Sequence, residues 1–454
     1  MAAPSAPVGG AEAEEAIGLL QALVRFPTTS HAAAANGAYN ECAAFLVEEL
    51  TKAGVEGAHV LPESLPNKPI VVGSVPGQEP ALPGILLNSH YDVVPAVEAD
   101  WTVPAFEGLR RDGKIFGRGT QDMKCVIAQQ IVALKRLIQS GRKMRRTVYV
   151  SFVPDEEIGG LDGMNVLMQS DWFHDFGSKI EIALDEGLAS EGNTFNAFYG
   201  ERLPWFLFFD SAGNTGHGSR FIEGTAVSSA AAIVNKALAF REQQRRLLHG
   251  LNHPDEAGCS HAVAAAGDKS KSKTTTKTTL GDVTSLNVTV MQAGTVFPDG
   301  KALMNVVPAS ARVGMDLRIS PSDDPAQISS MLDSWCQEAN QQGGGANTTW
   351  AFAWDCVQEH KLTRLQDEAV SPWWDHFRQT IADGFGVQVE PAVFPAASDS
   401  RFLRALGYKA LGFSPIRRSP IMLHENDEWL GEAAFLEGVD VYAVLIPALA
   451  DFVP

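Results

Sequence analysis

The chain has 454 residues, of which 45% are hydrophobic and 20% charged. That composition suits a globular protein long enough for two domains and more than one core. A net charge of -18 disfavours nucleic acid and anionic lipid as partners, while a small-molecule substrate in a locally cationic pocket stays open.

The N-terminal segment places Glu12, Glu14 and Glu15 before the first basic residue, Arg25. Secretory leaders need a basic start and an apolar core, and transit peptides are Arg-rich and poor in acids, so neither pattern is present. The most apolar stretch of the tail, residues 441–448, reads as well short of the roughly 20 residues that cross a bilayer. Cysteines 42, 125, 259, 336 and 356 form an odd set with no Cys-x-x-Cys pair, which fits reduced thiols. The expectation is a cytoplasmic protein with no membrane partner, in which the acceptor patterns at Asn287 and Asn347 stay unmodified.

Along the chain, residues 84–90 read as a short buried strand and 123–138 as an amphipathic helix. Residues 147–153 and 180–184 read as further buried strands. Strand–helix alternation of this kind implies an α/β fold, a mostly parallel sheet with helices on both faces. The order then changes: a strand at 203–209, a helix at 224–246, strands at 283–291 and 312–319, a helix at 325–340 and a strand at 348–354. That is the β-α-β-β-α-β series of a ferredoxin-like α+β domain. After residue 360 the earlier alternation resumes and ends in a helix near 432–449. The expected organisation is one discontinuous α/β domain, residues 1–199 and 361–454, interrupted by an insert at 200–360. Within the insert, the Lys/Thr-rich tract 262–280 lacks apolar periodicity and reads as a solvated loop. It is short and has no interleaved aromatics, so it does not argue for nucleic-acid binding.

Acidic and histidine residues recur just past the strand ends: His90 and Asp92, Asp122, the run Asp155-Glu156-Glu157, and the pair Asp185-Glu186. In open α/β sheets ligands bind outside the carboxyl ends of the strands, so these loops can converge on one crevice. A further piece, Leu423-His424-Glu425-Asn426-Asp427, lies near the C-terminus. Taken singly, each acid is more often a helix cap or a solvated loop residue. Asp155, Glu156 and Glu157, ahead of Gly159-Gly160, could cap a helix, and His90 could be a satisfied core histidine. Recurrence at successive strand ends favours a site. Two imidazoles and several carboxylates in one cleft call for a neutralising cation. A divalent metal fits that donor set, with zinc favoured by the histidines.

The segments Ser89-His90-Tyr91-Asp92-Val93-Val94-Pro95, Gly117-Arg118-Gly119-Thr120-Gln121-Asp122-Met123-Lys124 and Val153 to Gly160 resemble the zinc aminoacylase and carboxypeptidase-type metallopeptidase family. So do Ala183 to Gly187 and Gly213 to His217. The C-terminal runs Phe394 to Arg401, Leu411 to Pro415 and Leu423 to Glu428 resemble the family's cytosolic aminoacylase branch, and the likeness covers nearly the whole chain.

The resemblance implies a zinc-dependent amidohydrolase that converts N-acyl-L-amino acids to a carboxylate and a free L-amino acid. It implies two Zn2+ per subunit, one held by His90, Asp122 and Asp185, the other by Asp122, Glu157 and His424. Asp92 would fix the tautomer of His90, and Glu156 would be the general base for a metal-bridged hydroxide. The insert would be a lid and dimerisation domain of a homodimer. There His217 would reach the partner's site, as Asn305 and Arg318 help grip the substrate. Arg401 would pair with the substrate's free α-carboxylate. The Lys/Thr-rich tract and the residues around Phe297 to Gly300 enlarge the insert relative to the usual family form. Cys125, near Asp122, reads as a buried apolar thiol and not a ligand. A dipeptidase or carboxypeptidase would share these ligands and this base, and the C-terminal runs favour the acylase.

Overall fold

The computed structural model describes residues 7–177, 180–250, 278–342, 346–354 and 359–454. Most of the tract 262–280, together with Cys259 and Cys356, lies outside the described residues. The chain divides into two compact units, one formed by residues 1–200, 361–394 and 398–454, the other by 201–360 and 395–397.

The first unit is built on an eight-stranded sheet. Its order is Glu56–Val60, Val71–Val75, Val148–Val153, Gly84–His90, Ile180–Asp185, Lys409–Gly412, Phe195–Glu201 and Val389–Phe394. The four strands from Val148–Val153 to Lys409–Gly412 are mutually parallel, with His90 beside Val153 and Leu411 beside Leu184. Outside them Val71–Val75 runs antiparallel to Val148–Val153, and Phe195–Glu201 antiparallel to Lys409–Gly412. The sheet is therefore mixed, where a mostly parallel one was expected. The short link between Glu56–Val60 and Val71–Val75 cannot hold a crossover, so that pair closes as an antiparallel one.

Alternation along the parallel strands feeds two cores. Ile85, Leu87, Val150, Phe152, Ile182 and Leu184 face one side, against the helices Gly10–Val24, Ala38–Ala53, Lys124–Gln139, Ser371–Phe385 and Glu432–Asp451. Leu86, Val153 and Ala183 face the other, against Met164, Leu167, Phe173 and Leu403 of shorter helices. A strand covered on both faces reads as a continuous apolar run, which is why 84–90 and 147–153 are legible as buried strands. The helix Lys124–Gln139 is almost wholly buried along its first ten residues and starts directly after Asp122-Met123.

The last helix, Glu432–Asp451, corrects the reading of the tail's apolar stretch. At 20 residues it is long and apolar enough, by length and composition, to cross a membrane. Its Phe435, Val439, Tyr442, Leu445, Ile446 and Leu449 are buried in the core. Cys42, Cys125 and Cys336 are free and buried.

The second unit is a four-stranded antiparallel sheet in the order Ser285–Ala293, Ser310–Ile319, Leu203–Ala212 and Asn347–Phe352. The helices Ala226–Leu248 and Pro325–Gln342 intervene in the chain. Leu203, Trp205, Leu207 and Phe209 alternate inward and meet Ile233, Val313, Leu317, Leu332 and Trp335. The helix expected from 224 begins at Ala226 because Thr225 is extended and its hydroxyl accepts from the Ser228 amide.

Leu87 is fully buried in a central parallel strand. Leu87→Ala is expected to destabilise the protein by about 2–5 kcal/mol, read as a lower urea midpoint. A loss under about 0.5 kcal/mol, the range of surface substitutions, would contradict that placement.

Candidate metal centre

His90 is the last residue of its strand, Asp185 the last of the neighbouring one, and Asp155 follows two residues after Val153. Asp155 sits in the left-handed region, φ 64°, which turns the chain sharply into a short helical turn at Glu156–Ile158. Tyr39 Oη donates to Asp155 Oδ1 at 2.7 Å, and Lys68 forms ion pairs with Asp155 and Asp162. No side chain of the run caps that turn. Instead Asp92, from the loop after the adjacent strand, accepts from the Glu156 amide at 3.1 Å and the Glu157 amide at 3.2 Å. Adjacent glutamates are thus delivered as a unit, with their backbone satisfied from across the crevice.

Two groups of donors meet at Asp122. His90 Nε2 is 3.1 Å from Asp122 Oδ1 and 3.5 Å from Glu186 Oε2. His424 Nε2 is 3.4 Å from Asp122 Oδ2 and 3.1 Å from Glu157 Oε2. Each oxygen of one carboxylate therefore faces its own imidazole–carboxylate pair. On the far side of the His90 ring, Nδ1 lies 3.1 Å from the Asp92 carbonyl and 3.3 Å from Asp92 Oδ1. A proton on Nδ1 would be held there, leaving Nε2 free to act as a ligand.

Asp185 is not part of this arrangement. Its Oδ1 accepts from Asn88 Nδ2 at 3.0 Å and its Oδ2 from Ser400 Oγ at 2.8 Å. The carboxylate facing His90 and Asp122 is the next residue, Glu186. Side chains at neighbouring positions of an extended chain point to opposite sides, so only one of two adjacent acids can face the cleft, and residue type alone does not say which.

Glu156 is buried beside the cluster, and Arg401 Nη1 lies 3.7 Å from its Oε1. The Arg401 guanidinium also donates to the Ser398 carbonyl and lies over the Phe402 ring. Asp399 escaped the sequence reading although it falls within a quoted motif. It is fully buried and precedes the helix Ser400–Ala405 without capping it, and neither carboxylate oxygen has a hydrogen-bond partner. Gly160, at φ 64°, lets Asp399 approach, since a Cβ there would stand 2.6 Å from Oδ1.

The remaining candidates belong to the second unit. His217 and Asn305 sit side by side, with the Gly218 amide donating to the Asn305 carbonyl and His217 paired with Val306. Both are exposed, and His217 Nδ1 is 2.8 Å from Ser219 Oγ. Arg318 is half-buried, forms a bidentate pair with Asp316 and lies over the Phe206 ring. Cys125 is buried, with Sγ against the Gln121 carbonyl, and stands outside the donor groups.

Electrostatics test whether these residues suit a cation. Burial, then the charge of Glu186, pushes Glu156 well above the usual carboxylate range, and burial does the same to Glu186 itself. Burial, then Asp122, carries Glu157 up to about 7. Hydrogen bonds to Asp122 and Glu157 raise His424 to about 10. For His90, burial opposes the charged form, but Asp122, Asp92 and Glu186 more than offset it and raise the ring well above its ordinary value. Burial likewise opposes the charge of Asp122, which His424 and His90 nonetheless hold below its usual range. Glu156, Glu157, Glu186, His90 and His424 are thus displaced toward more positive charge, unlike the carboxylate that both imidazoles share. Glu157 Oε1 and Glu186 Oε1 are buried without hydrogen-bond partners. Nitrogen and oxygen donors with that deficit fit divalent ions, one on each side of Asp122.

The profile of Peptidase family M20/M25/M40 matches residues 86–448, and the chain belongs to that family. It is similar to aminoacylase-1 of Dictyostelium discoideum, with 41% identity covering 84% of this chain and 86% of that one. Human aminoacylase-1 is 38% identical, covering 91% and 90%. Among solved structures, the YXEP protein of Bacillus subtilis, a dinuclear metal binding peptidase from the M20 family, superposes with a TM-score of 0.61. It is 14% identical and the match covers 98% of this chain and 99% of that one, a likeness of fold. These relatives support a hydrolase with the α/β fold of the family.

Zinc returned to chelator-stripped protein should raise its melting temperature, since about 2.7 kcal/mol is gained at a hundredfold excess over Kd. Glu186→Gln is expected to lower the bound-metal count measured by mass spectrometry, with Asp185→Asn affecting it less. The reverse ranking would return Asp185 to the ligand set.

Proposed function

We propose that the protein is a two-zinc amidohydrolase that cleaves N-acyl-L-amino acids into a carboxylate and a free L-amino acid. One observation carries this reading: a single buried carboxylate, Asp122, turns one oxygen to His90 and Glu186 and the other to His424 and Glu157. The similarity to aminoacylase-1 from two organisms supports the substrate class.

In this reading His90, Asp122 and Glu186 would hold one Zn2+, and Asp122, Glu157 and His424 would hold the other. Bound there, the ions would polarise the amide carbonyl and lower the pKa of the attacking water. Glu156 removes a proton from that water and returns it to the leaving nitrogen as the amide C–N bond breaks. Asp92 keeps the His90 ring oriented and holds the Glu156 and Glu157 amides. Arg401 provides a guanidinium next to Glu156 that suits the free α-carboxylate of the substrate.

The second unit is read as a ferredoxin-like lid and dimerisation domain, supported by its strand–helix–strand–strand–helix–strand order. The working form is then a homodimer in which His217 of the partner subunit stabilises the oxyanion, with Asn305 and Arg318 gripping the substrate. The exposed His217 ring is compatible with that role. A cytoplasmic setting accords with three buried free thiols.

Glu156→Gln should lower kcat for N-acetyl-L-methionine by about 10²–10⁴-fold or more, with both metal ions retained. Near-wild-type turnover in that variant would exclude Glu156 as the base. Faster hydrolysis of simple dipeptides than of N-acetyl-L-methionine by the wild type would make the protein a peptidase instead.

A further inference from the structure

His424 and Asp122 come from segments far apart in sequence, and one side chain ties them together. Glu428 is fully buried and stands outside the donor groups. Its Oε2 accepts from Arg118 Nη1 at 2.9 Å and from the Gly119 amide at 3.1 Å. Its Oε1 accepts from the Gln121 amide at 2.6 Å and from the Thr120 hydroxyl at 3.3 Å. Four consecutive residues leading into Asp122 thus converge on one carboxylate.

The same loop reaches back to the segment that carries His424. Arg118 Nη1 donates to the Glu425 carbonyl at 3.1 Å and Nη2 to the His424 carbonyl at 3.4 Å. Gln121 Nε2 donates to the Pro420 and Trp429 carbonyls, while its Oε1 accepts from the Met422 amide at 3.1 Å. His424 itself needs such support. Its backbone is left-handed, φ 61°, an uncommon conformation for a residue with a side chain, and half of its side chain is exposed. With the ring only half covered, its position depends in part on the backbone beneath it.

We propose that Glu428, with Arg118 and Gln121, forms a clamp that positions His424 against Asp122 and Glu157 and so governs occupancy of that second metal site. The inference rests on the two-ion reading of the donor groups. A buried ion pair is a poor source of net stability compared with apolar packing, but one held by several further hydrogen bonds favours a single geometry. Here that geometry is the meeting of two distant loops. Glu428, Arg118 and Gln121 are positioning residues, since they lie outside the donor groups and act through them.

The experiment compares metal-replete wild type with Glu428→Gln by metal stoichiometry, zinc titration and thermal unfolding. Wild type should bind two ions. The variant should keep the first at unchanged affinity and bind the second about 10–100-fold more weakly, with turnover restored by excess zinc. A folded variant that binds both ions as tightly as wild type overturns the clamp, and so does one that loses both equally. If Glu428→Gln does not fold, Gln121→Leu cuts the same frame without stranding a charge and is judged by the same criteria. Wild type binding fewer than two ions would refute the two-ion reading itself, and the clamp with it, whatever the variants do.

Discussion

Asp122 holds its negative charge almost out of solvent, with His90 facing one oxygen and His424 the other. Around it stand Glu156, Glu157 and Glu186, each pushed toward its neutral form by burial and by its neighbours. Such a concentration of acid is tolerable only where positive charge arrives to offset it, and two imidazoles alone do not suffice. The donor arrangement is shaped by that demand. Both oxygens of the shared carboxylate are committed, one to each side, while Glu157 and Glu186 each keep a buried oxygen without a hydrogen bond.

The sheet explains how so many charged groups reach one place. Four parallel strands end on the same edge, so the loops after Val153, His90 and Asp185 open together. Apolar residues bury the strands on both faces, and the charged residues of the site come at or just beyond their carboxyl ends. Local devices then set direction. A left-handed residue at Asp155, pinned by Tyr39 and Lys68, turns Glu156 and Glu157 into the crevice. Asp92 closes the arrangement by accepting from both of their amides, which couples the His90 loop to the glutamate loop.

A second coupling joins the Asp122 loop to the C-terminal segment. Arg118 and Glu428 are 310 residues apart in the chain and form a buried pair whose other hydrogen bonds go mostly to backbone groups of the two loops. Buried polar networks tolerate little distortion, because each broken bond leaves a desolvated group behind. Precision of this kind matters at a site whose donor groups come from separate strands and from a distant loop.

The sequence by itself determined several of the central elements and the kind of site. Apolar runs marked the buried strands at 84–90 and 147–153, helical periodicity located Lys124–Gln139 to within one residue, and His and acidic residues past strand ends marked a metal-suited crevice. These features are local, and local pattern reports them. What the tertiary structure alone decided was direction and pairing. It turned Glu186 to His90 while Asp185 bonded to Asn88 and Ser400, left the Asp399 carboxylate without a hydrogen-bond partner, and joined Arg118 to Glu428. It also made the sheet mixed, because strand direction depends on the connection and the neighbour more than on the strand's own residues. Adjacent acids are chemically alike in a sequence, and only the path of the backbone gives each one a side to face.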